Sequence, residues 1–394
     1  MKTEDLAWCI MAKDDSEVEK LSKIMSDLDG YVGKFFITAN HKPTKKIEAL
    51  VKKYKGDYSY FEWDDDFSHC RNFTFNRAKK YKITAWADSD DRIPNPQVIP
   101  DYLEALDSVD WIYCNYNYAF NEYGDVVTKH IKPRFIKSGT GFWQSSPHED
   151  LIPNTAIKGA FDTDFTNDTL QFNHTLRASS ADYMKEMENR GRRNLKIMAK
   201  ELERDGDKTD LWVIQNIGLT FMSLGEYRNA ILFLMRHFKG TGALEDKFWS
   251  LKRAVFCHKM LGEYDQALNL ALEGLKFYPD WQTMYFEIAA IYSIQKKYAK
   301  VIEWTLTGIN KKVPNTSKII EPLDYDLNPM GVLADAYLMT KQPEKALKIA
   351  RALHTKYPKN KLVQELLDTA TEATRLESFV VSFLTVADEI RKND

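Results

Sequence analysis

The stretch Tyr81-Lys82-Ile83-Thr84-Ala85-Trp86-Ala87-Asp88-Ser89-Asp90-Asp91-Arg92 decides the fold class. Its first seven residues form a short apolar run of the kind that makes a strand covered on both faces, and the run ends abruptly in three carboxylates. Buried strands of this type belong to largely parallel sheets, whose ligands collect at the carboxyl ends of the strands. Three acidic side chains on one turn repel one another unless a cation neutralises them, and hard divalent ions such as Mg²⁺ or Mn²⁺ take oxygen ligands. The same residues also suit a plain turn and a helix cap, because Asp is common in both.

Working outward from this run, Leu6–Met11 and Val32–Thr38 are further apolar strands, with an amphipathic helix over Ser16–Leu28 between them. Tyr58–Trp63 is a third strand, Ser68–Lys79 a helix, and Tyr81–Ala87 the fourth strand. Strands alternating with helices predict an α/β domain. Trp111–Tyr123, with Tyr113, Tyr116, Tyr118 and Phe120, is a hairpin strand turning at Asn121-Glu122-Tyr123-Gly124. Its rings could stack on a ligand, but such strands more often pack on their neighbours.

From about residue 208 the pattern becomes entirely helical and repeats. Gly225-Glu226-Tyr227 with Ala230 recurs as Gly262-Glu263-Tyr264 with Ala267, then as Tyr298 with Val301, then as Pro343 with Ala346 after a longer insert containing Val313-Pro314-Asn315. Tyr278-Pro279 and Tyr357-Pro358 mark stops. Paired helices joined by a tight turn, with a small residue at the crossing, resemble tetratricopeptide repeats. The expected division is an α/β domain over 1–207 and a helical-repeat domain over 208–394, with the alternating charges of Glu201–Asp210 as an exposed connection.

The 394 residues are 44 % hydrophobic and 28 % charged, which excludes a largely disordered chain. Basic and acidic residues nearly cancel, 55 against 57, so no global field draws nucleic acid or anionic membrane. Cys9, Cys70, Cys114 and Cys257 are scattered with no C-x-x-C pair, which speaks against a zinc module or a disulfide framework and suits a reducing cytoplasm. No run is apolar enough to span a membrane, and Met1–Asp14 lacks the apolar core of a signal peptide. A cytoplasmic location is expected. The oligomeric state is not encoded in any of these patterns.

Trp63-Asp64-Asp65-Asp66-Phe67-Ser68, then Arg71-Asn72, then Asp88-Ser89-Asp90, resembles family-2 glycosyltransferases of the GT-A (Rossmann-like nucleotide-sugar) fold. The order continues through Arg134-Phe135, Pro147-His148-Glu149-Asp150, His174 and Arg192-Arg193-Asn194, and is most similar to bacterial peptide S-glycosyltransferases of the sublancin type. The resemblance implies an inverting hexosyl or pentosyl transfer from a nucleotide-sugar, UDP by default, assisted by Mg²⁺ or Mn²⁺. It makes Asp88, Asp90 and His174 the metal residues. Asp66, Arg71, Asn72 and Asp88 would serve the donor, with Arg71 near a phosphate. Glu149 would be the base, with Asp150 its rival. Each has a plainer reading: Asp66 as a helix cap, Arg71 as its ion-pair partner, Glu149 as a loop-orienting residue and His174 as a hydrogen-bonded structural residue. The chain departs from the family at Thr38-Ala39-Asn40-His41-Lys42-Pro43-Thr44, where an acidic residue and a Ser-Thr-Asp run are usual, and at Ala12-Lys13-Asp14-Asp15, where Asn-Glu is common.

Three functions follow. The first is transfer to a peptide or protein gripped by the repeats. The second is transfer to a modified DNA base, which needs a basic groove such as Lys185–Lys200 could offer with Arg190, Arg192, Arg193 and Lys196. The third is a non-catalytic repeat adaptor with a degenerate transferase domain.

Overall fold

The computed structural model describes residues 3–42, 44–64, 66–144, 149–161, 170–174, 181–316 and 318–393. Asp65, Pro147 and His148 therefore lie outside the described residues. The chain divides into two compact units: Met1–Tyr183 with Asn315–Ile320, and Met184–Pro314 with Glu321–Asp394.

The first unit runs β1 (Leu6–Ala12), α1 (Val18–Asp27), β2 (Lys34–Ala39), α2 (Lys45–Lys53), β3 (Asp57–Tyr60), α3 (Phe67–Ala78), β4 (Ile83–Asp88), β5 (Asp91–Arg92) and α4 (Ile99–Ala105). It continues with β6 (Trp111–Phe120), β7 (Val126–Lys137), β8 (Gly141–Gln144), β9 (Asp150–Pro153), β10 (Gly159–Phe161) and β11 (Gln171–His174). One mixed sheet has the order β3-β2-β1-β4-β7-β6-β11-β5, with β10 also on β6; β8 and β9 form a separate hairpin. The β3-β2-β1-β4 part is parallel, and β7 enters antiparallel beside β4.

Alternation along β1 explains how the sheet is covered. Trp8 and Ile10 point into a core filled by Leu21, Ile24 and Met25 of α1, Ile47 and Val51 of α2, and Leu103 of α4. Ala7 and Cys9 point the other way, onto Phe75 of α3, Trp86 of β4 and Trp143 of β8. With both faces covered, the central strands are apolar throughout. The Trp111–Tyr123 hairpin forms as expected: the Asn121 side-chain oxygen accepts the Tyr123 and Asp125 N–H groups, and Gly124 takes a positive φ of 90°. Trp111 and Tyr116 are core residues, so the aromatic run serves packing.

The second unit is all helical: α5 (Ala181–Asp205, which begins just before the division), α6 (Leu211–Ser223), α7 (Tyr227–Gly240), α8 (Leu244–Met260), α9 (Tyr264–Gly274), α10 (Gln282–Ile294), α11 (Tyr298–Ile309), α12 (Leu327–Met339), α13 (Pro343–Lys356) and α14 (Lys361–Asn393). The four pairs from α6 to α13 match the repeat spacing read above. Their crossing residues Ala230, Ala267, Val301 and Ala346 are all fully buried. Each turn needs one left-handed residue: Gly225 at φ 75° and Gly262 at 73°, but Lys296 at 56° and Lys341 at 58° where glycine is missing.

The division falls in the first turn of α5, between Tyr183 and Met184, rather than within Glu201–Asp210. Met198 packs on Val213 and Ile217 of α6, with Leu195 and Leu202 beside it, so α5 is anchored to the repeats. The charges of Glu201–Asp205 lie on a continuous helix and its end; Arg204 pairs with Asp205. Asn315–Ile320 returns to the first unit because Ile320 exchanges both main-chain hydrogen bonds with Lys129 of β7, at 3.0 and 2.9 Å.

Candidate active site

The sheet order creates a crevice. From β1 the chain winds outward to β2 and β3, then crosses through α3 to β4 on the other side of β1. The loops leaving β1 and β4 therefore diverge, and ligands of open α/β sheets bind at such switch points. Asp88, the last residue of β4, stands opposite Met11 in register. Three residues later β5 begins and pairs with β11, His174 opposite Asp91. That ladder brings His174 to the acidic turn: its Nε2 lies 3.7 Å from Asp90 Oδ2.

The three carboxylates have three environments. Asp90 keeps a partly exposed side chain, with Lys20 Nζ 3.7 Å from the same oxygen that His174 approaches. Asp88 Oδ1 accepts from Arg71 Nη2 at 2.8 Å. Burial alone would push the Asp88 carboxyl up, but the Arg71 and Arg134 guanidinium groups outweigh it and hold the carboxyl below its ordinary value. Asp91 is wholly buried. It accepts the Asp88 N–H at 3.0 Å and the Tyr116 hydroxyl at 3.0 Å, and stands 3.5 Å from Arg134 Nη1. Desolvation pushes its carboxyl up to about 6 despite the attraction of Arg134. Asp91 thus braces the turn from beneath.

Arg134 is fully buried among the rings of Trp86, Tyr116 and Phe172, at 3.9, 4.3 and 4.4 Å from its guanidinium carbon. The ring faces partly replace hydrogen bonds that its Nε and Nη2 lack among the described residues. The run Pro133-Arg134-Phe135-Ile136 carries a charge into a buried strand, and a fully buried arginine needs a partner, which Asp91 supplies.

Arg71 joins the turn to the segment entering β9. Its Nε donates to Glu149 Oε1 at 2.9 Å while Nη2 holds Asp88, and its guanidinium carbon lies 4.7 Å and 4.6 Å from the Trp86 and Trp143 rings. The structure therefore unites Arg71, Asp88 and Glu149. It separates Asp150, whose Oδ1 instead accepts from Lys132 at 3.0 Å. Adjacent residues entering a strand face opposite ways, which is why only one of the two acids reaches Arg71.

Two expected donor residues have other work. The Asn72 amide nitrogen donates to Trp143 O and its oxygen accepts the Trp143 N–H, both at 2.8 Å, so this side chain pins β8. Asp66 caps α3, accepting from Ser68 N and Ser68 Oγ at 2.7 Å each. The plainer reading of Asp66 is the one the hydrogen bonds support. Arg192 and Arg193 lie on α5 in the second unit, where Arg192 pairs with Glu188 and Arg193 donates to the Asn194 side-chain oxygen. Lys20, Trp86, Trp143 and Lys132 carried no sequence signal as site residues.

Among the described residues no three His, Cys, Asp or Glu side chains gather closely enough to hold a metal ion unaided. Asp90 and His174 instead offer one carboxylate and one imidazole side by side. That donor set fits an ion that takes one or two protein ligands and completes its shell with substrate phosphates.

No family model and no curated protein matches the chain. The C-terminal part of a TPR repeat-containing protein from Cytophaga hutchinsonii is a similar solved structure, at 13 % identity over 50 % of this chain and 72 % of that one, with a TM-score of 0.39. PilF of Pseudomonas aeruginosa matches at 14 % over 48 % and 77 %, TM-score 0.37. YrrB, described as a TPR protein with an unusual peptide-binding site, matches at 12 % over 47 % and 88 %, TM-score 0.34.

Proposed function

We propose that the chain is an inverting, divalent-metal-assisted glycosyltransferase of the GT-A type, moving a sugar from a nucleotide-sugar, UDP-linked by default, to a peptide or protein. One observation carries the reading: Asp88 and Asp90 sit at the β1/β4 switch point, His174 is delivered to Asp90 by β11, and Glu149 is tied to the same turn through Arg71. A crevice of this kind suits a nucleotide, and a lone Asp–His pair suits an ion shared with a diphosphate.

Asp90 and His174 would hold Mg²⁺ or Mn²⁺, which when bound neutralises charge on the departing diphosphate. Glu149 takes the acceptor's proton as general base. Arg71 orients Glu149 and Asp88 together, and the tryptophan rings on either side keep it in place. Asp91 fixes the turn by holding the Asp88 N–H. The helical pairs offer a repeat surface suited to an extended polypeptide. A DNA acceptor draws no support from α5, where Arg192 is paired with an acid on its own helix. Among the described residues no helix is long and apolar enough to cross a membrane.

The test is release of nucleotide from a panel of nucleotide-sugars, in Mg²⁺ or Mn²⁺ and in chelator. Release should require the metal and vanish in Asp90→Asn, which keeps shape but removes the charged ligand. Undiminished release in chelator refutes the metal role, and no release from any donor refutes the transferase reading.

A further inference from the structure

Between Ile309, which ends α11, and Leu327, which begins α12, the chain makes an excursion far longer than the joins between the other pairs. Its last part, Glu321 followed by the single helical turn Pro322–Tyr325, lies in a groove along α8, α10 and α12 in the second unit. Glu321 accepts from Lys252 Nζ at 2.8 Å and from Arg253 Nη1 at 2.6 Å. Asp324 stands 3.4 Å from Lys252, and the Tyr325 and Thr283 hydroxyls are 3.0 Å apart. Beside this turn lies a cavity of about 460 Å³, walled on its apolar side by Phe256, Phe286 and Val332.

The charges lining the groove come from two sources. The repeat helices supply Lys252, Arg253 and Lys259 against a single acid, Glu287, which is bonded to Lys259. Both acids that restore balance, Glu321 and Asp324, come from the excursion. Lys252 is only 4 % exposed, so neither it nor Arg253 can lose its counterion to water cheaply. Phe256 is meanwhile 37 % exposed, an apolar face with room in front of it.

We propose that Glu321 and Asp324 act as an internal ligand, a strap over a binding groove for an acidic peptide segment. When the strap lifts, two carboxylates of the peptide replace Glu321 and Asp324 on Lys252 and Arg253, and neighbouring apolar residues fill the cavity against Phe256. One ion pair is exchanged for another, so the electrostatic term nearly cancels and apolar burial drives binding. A neutral or basic segment would take Glu321 and Asp324 off Lys252 and Arg253 without replacing them, and should bind far more weakly. The strap makes affinity depend on the fraction of molecules that are open. This does not rest on the catalytic reading of the first unit, and its test reads binding alone.

Short fluorescein-labelled peptides alternating Glu with Phe, and their Lys and Gln counterparts, are titrated into the full chain by anisotropy. Glu321→Gln combined with Asp324→Asn should bind the Glu peptide at least about tenfold more tightly than wild type, through the larger open fraction. Adding Lys252→Met and Arg253→Met should abolish that gain. In wild type, saturating Glu peptide should speed hydrogen exchange over Glu321–Tyr325 while slowing it in α8, a readout that stands if the strap variant fails to fold. Equal binding of Glu and Lys peptides, no gain on strap release, or unchanged exchange in the strap at the highest Glu-peptide concentration overturns the proposal.

Discussion

Replacing Arg71 by methionine removes the one cation that Asp88 and Glu149 share while keeping an unbranched, polarizable chain between Trp86 and Trp143. Breaking a buried ion pair by deleting one partner costs about 3–5 kcal/mol, because the remaining charge stays behind. Asp88 is a third exposed, so water takes up part of its share, whereas Glu149 at 14 % is more deeply held. Two cation–ring contacts add about 1 kcal/mol each, and sulfur–ring contacts return a similar sum. The expected loss is therefore about 3 kcal/mol at pH 7, near the lower end of that range. Its pH dependence follows from Asp88, whose folded carboxyl lies below its ordinary value of 3.8 largely because Arg71 and Arg134 outweigh its desolvation. Such a group contributes stability that is present above the unfolded value and lost as pH falls through the folded one. The difference between wild type and Arg71→Met should accordingly shrink as pH drops below 4. Urea denaturation followed by tryptophan fluorescence at pH 7 and pH 3.5 measures both. A loss under about 1 kcal/mol at pH 7, or one that is the same at both pH values, refutes a shared buried ion pair as the brace of this site.

Other expectations are more direct. Glu149→Gln should slow transfer by at least about 100-fold with donor affinity nearly kept, and Asp150→Asn should change it little, since Asp150 answers to Lys132; single-turnover assays on both variants decide, and the reverse outcome moves the base to Asp150. Lys296→Gly and Lys341→Gly should each stabilise the repeat unit by about 0.5–1 kcal/mol, because relief of a left-handed backbone outweighs the added chain entropy of glycine. Thermal denaturation checks this, and a lowered midpoint would show that these lysine side chains earn their place by contacts. Gly262→Lys should lose a comparable amount.

β1, β2 and β4 could be read from the sequence because each is apolar on both faces, and the helix pairs because one turn chemistry recurs with its small crossing residue; β3, Asp57-Tyr58-Ser59-Tyr60, lies only partly buried at the sheet's edge, and the strand expected over Tyr58–Trp63 ends at Tyr60. Polar or very short elements left no such trace. β5 is two residues long, and β11 is Gln171-Phe172-Asn173-His174, yet their pairing is what carries His174 to Asp90. α2 has only Ile47 and Val51 buried, too thin a stripe to stand out in a lysine-rich segment. The division after Tyr183 was hidden by a run of charges that looks like a linker but decorates the end of a helix whose other face is apolar. Side-chain roles divided in the same way. Residue types on one turn, as at Asp88–Asp91, can be seen together; Arg71 meeting Glu149 across 78 positions depends on the β8–β9 hairpin, and Asn72 spends its amide on that hairpin for a reason no spacing encodes.

The bonds between Lys129 and Ile320 make the first unit discontinuous: six residues that complete it arrive only after three helical pairs have been made. On the ribosome its sheet must emerge and wait, with Lys129 N–H and C=O unmet by their final partner, until most of the repeats have followed. No single cut yields two whole pieces either. A chain stopped after Asp207 or Tyr183 lacks Asn315–Ile320, so fragments, fusions and swaps made at that point should be supplied with this segment as a separate peptide or grafted loop.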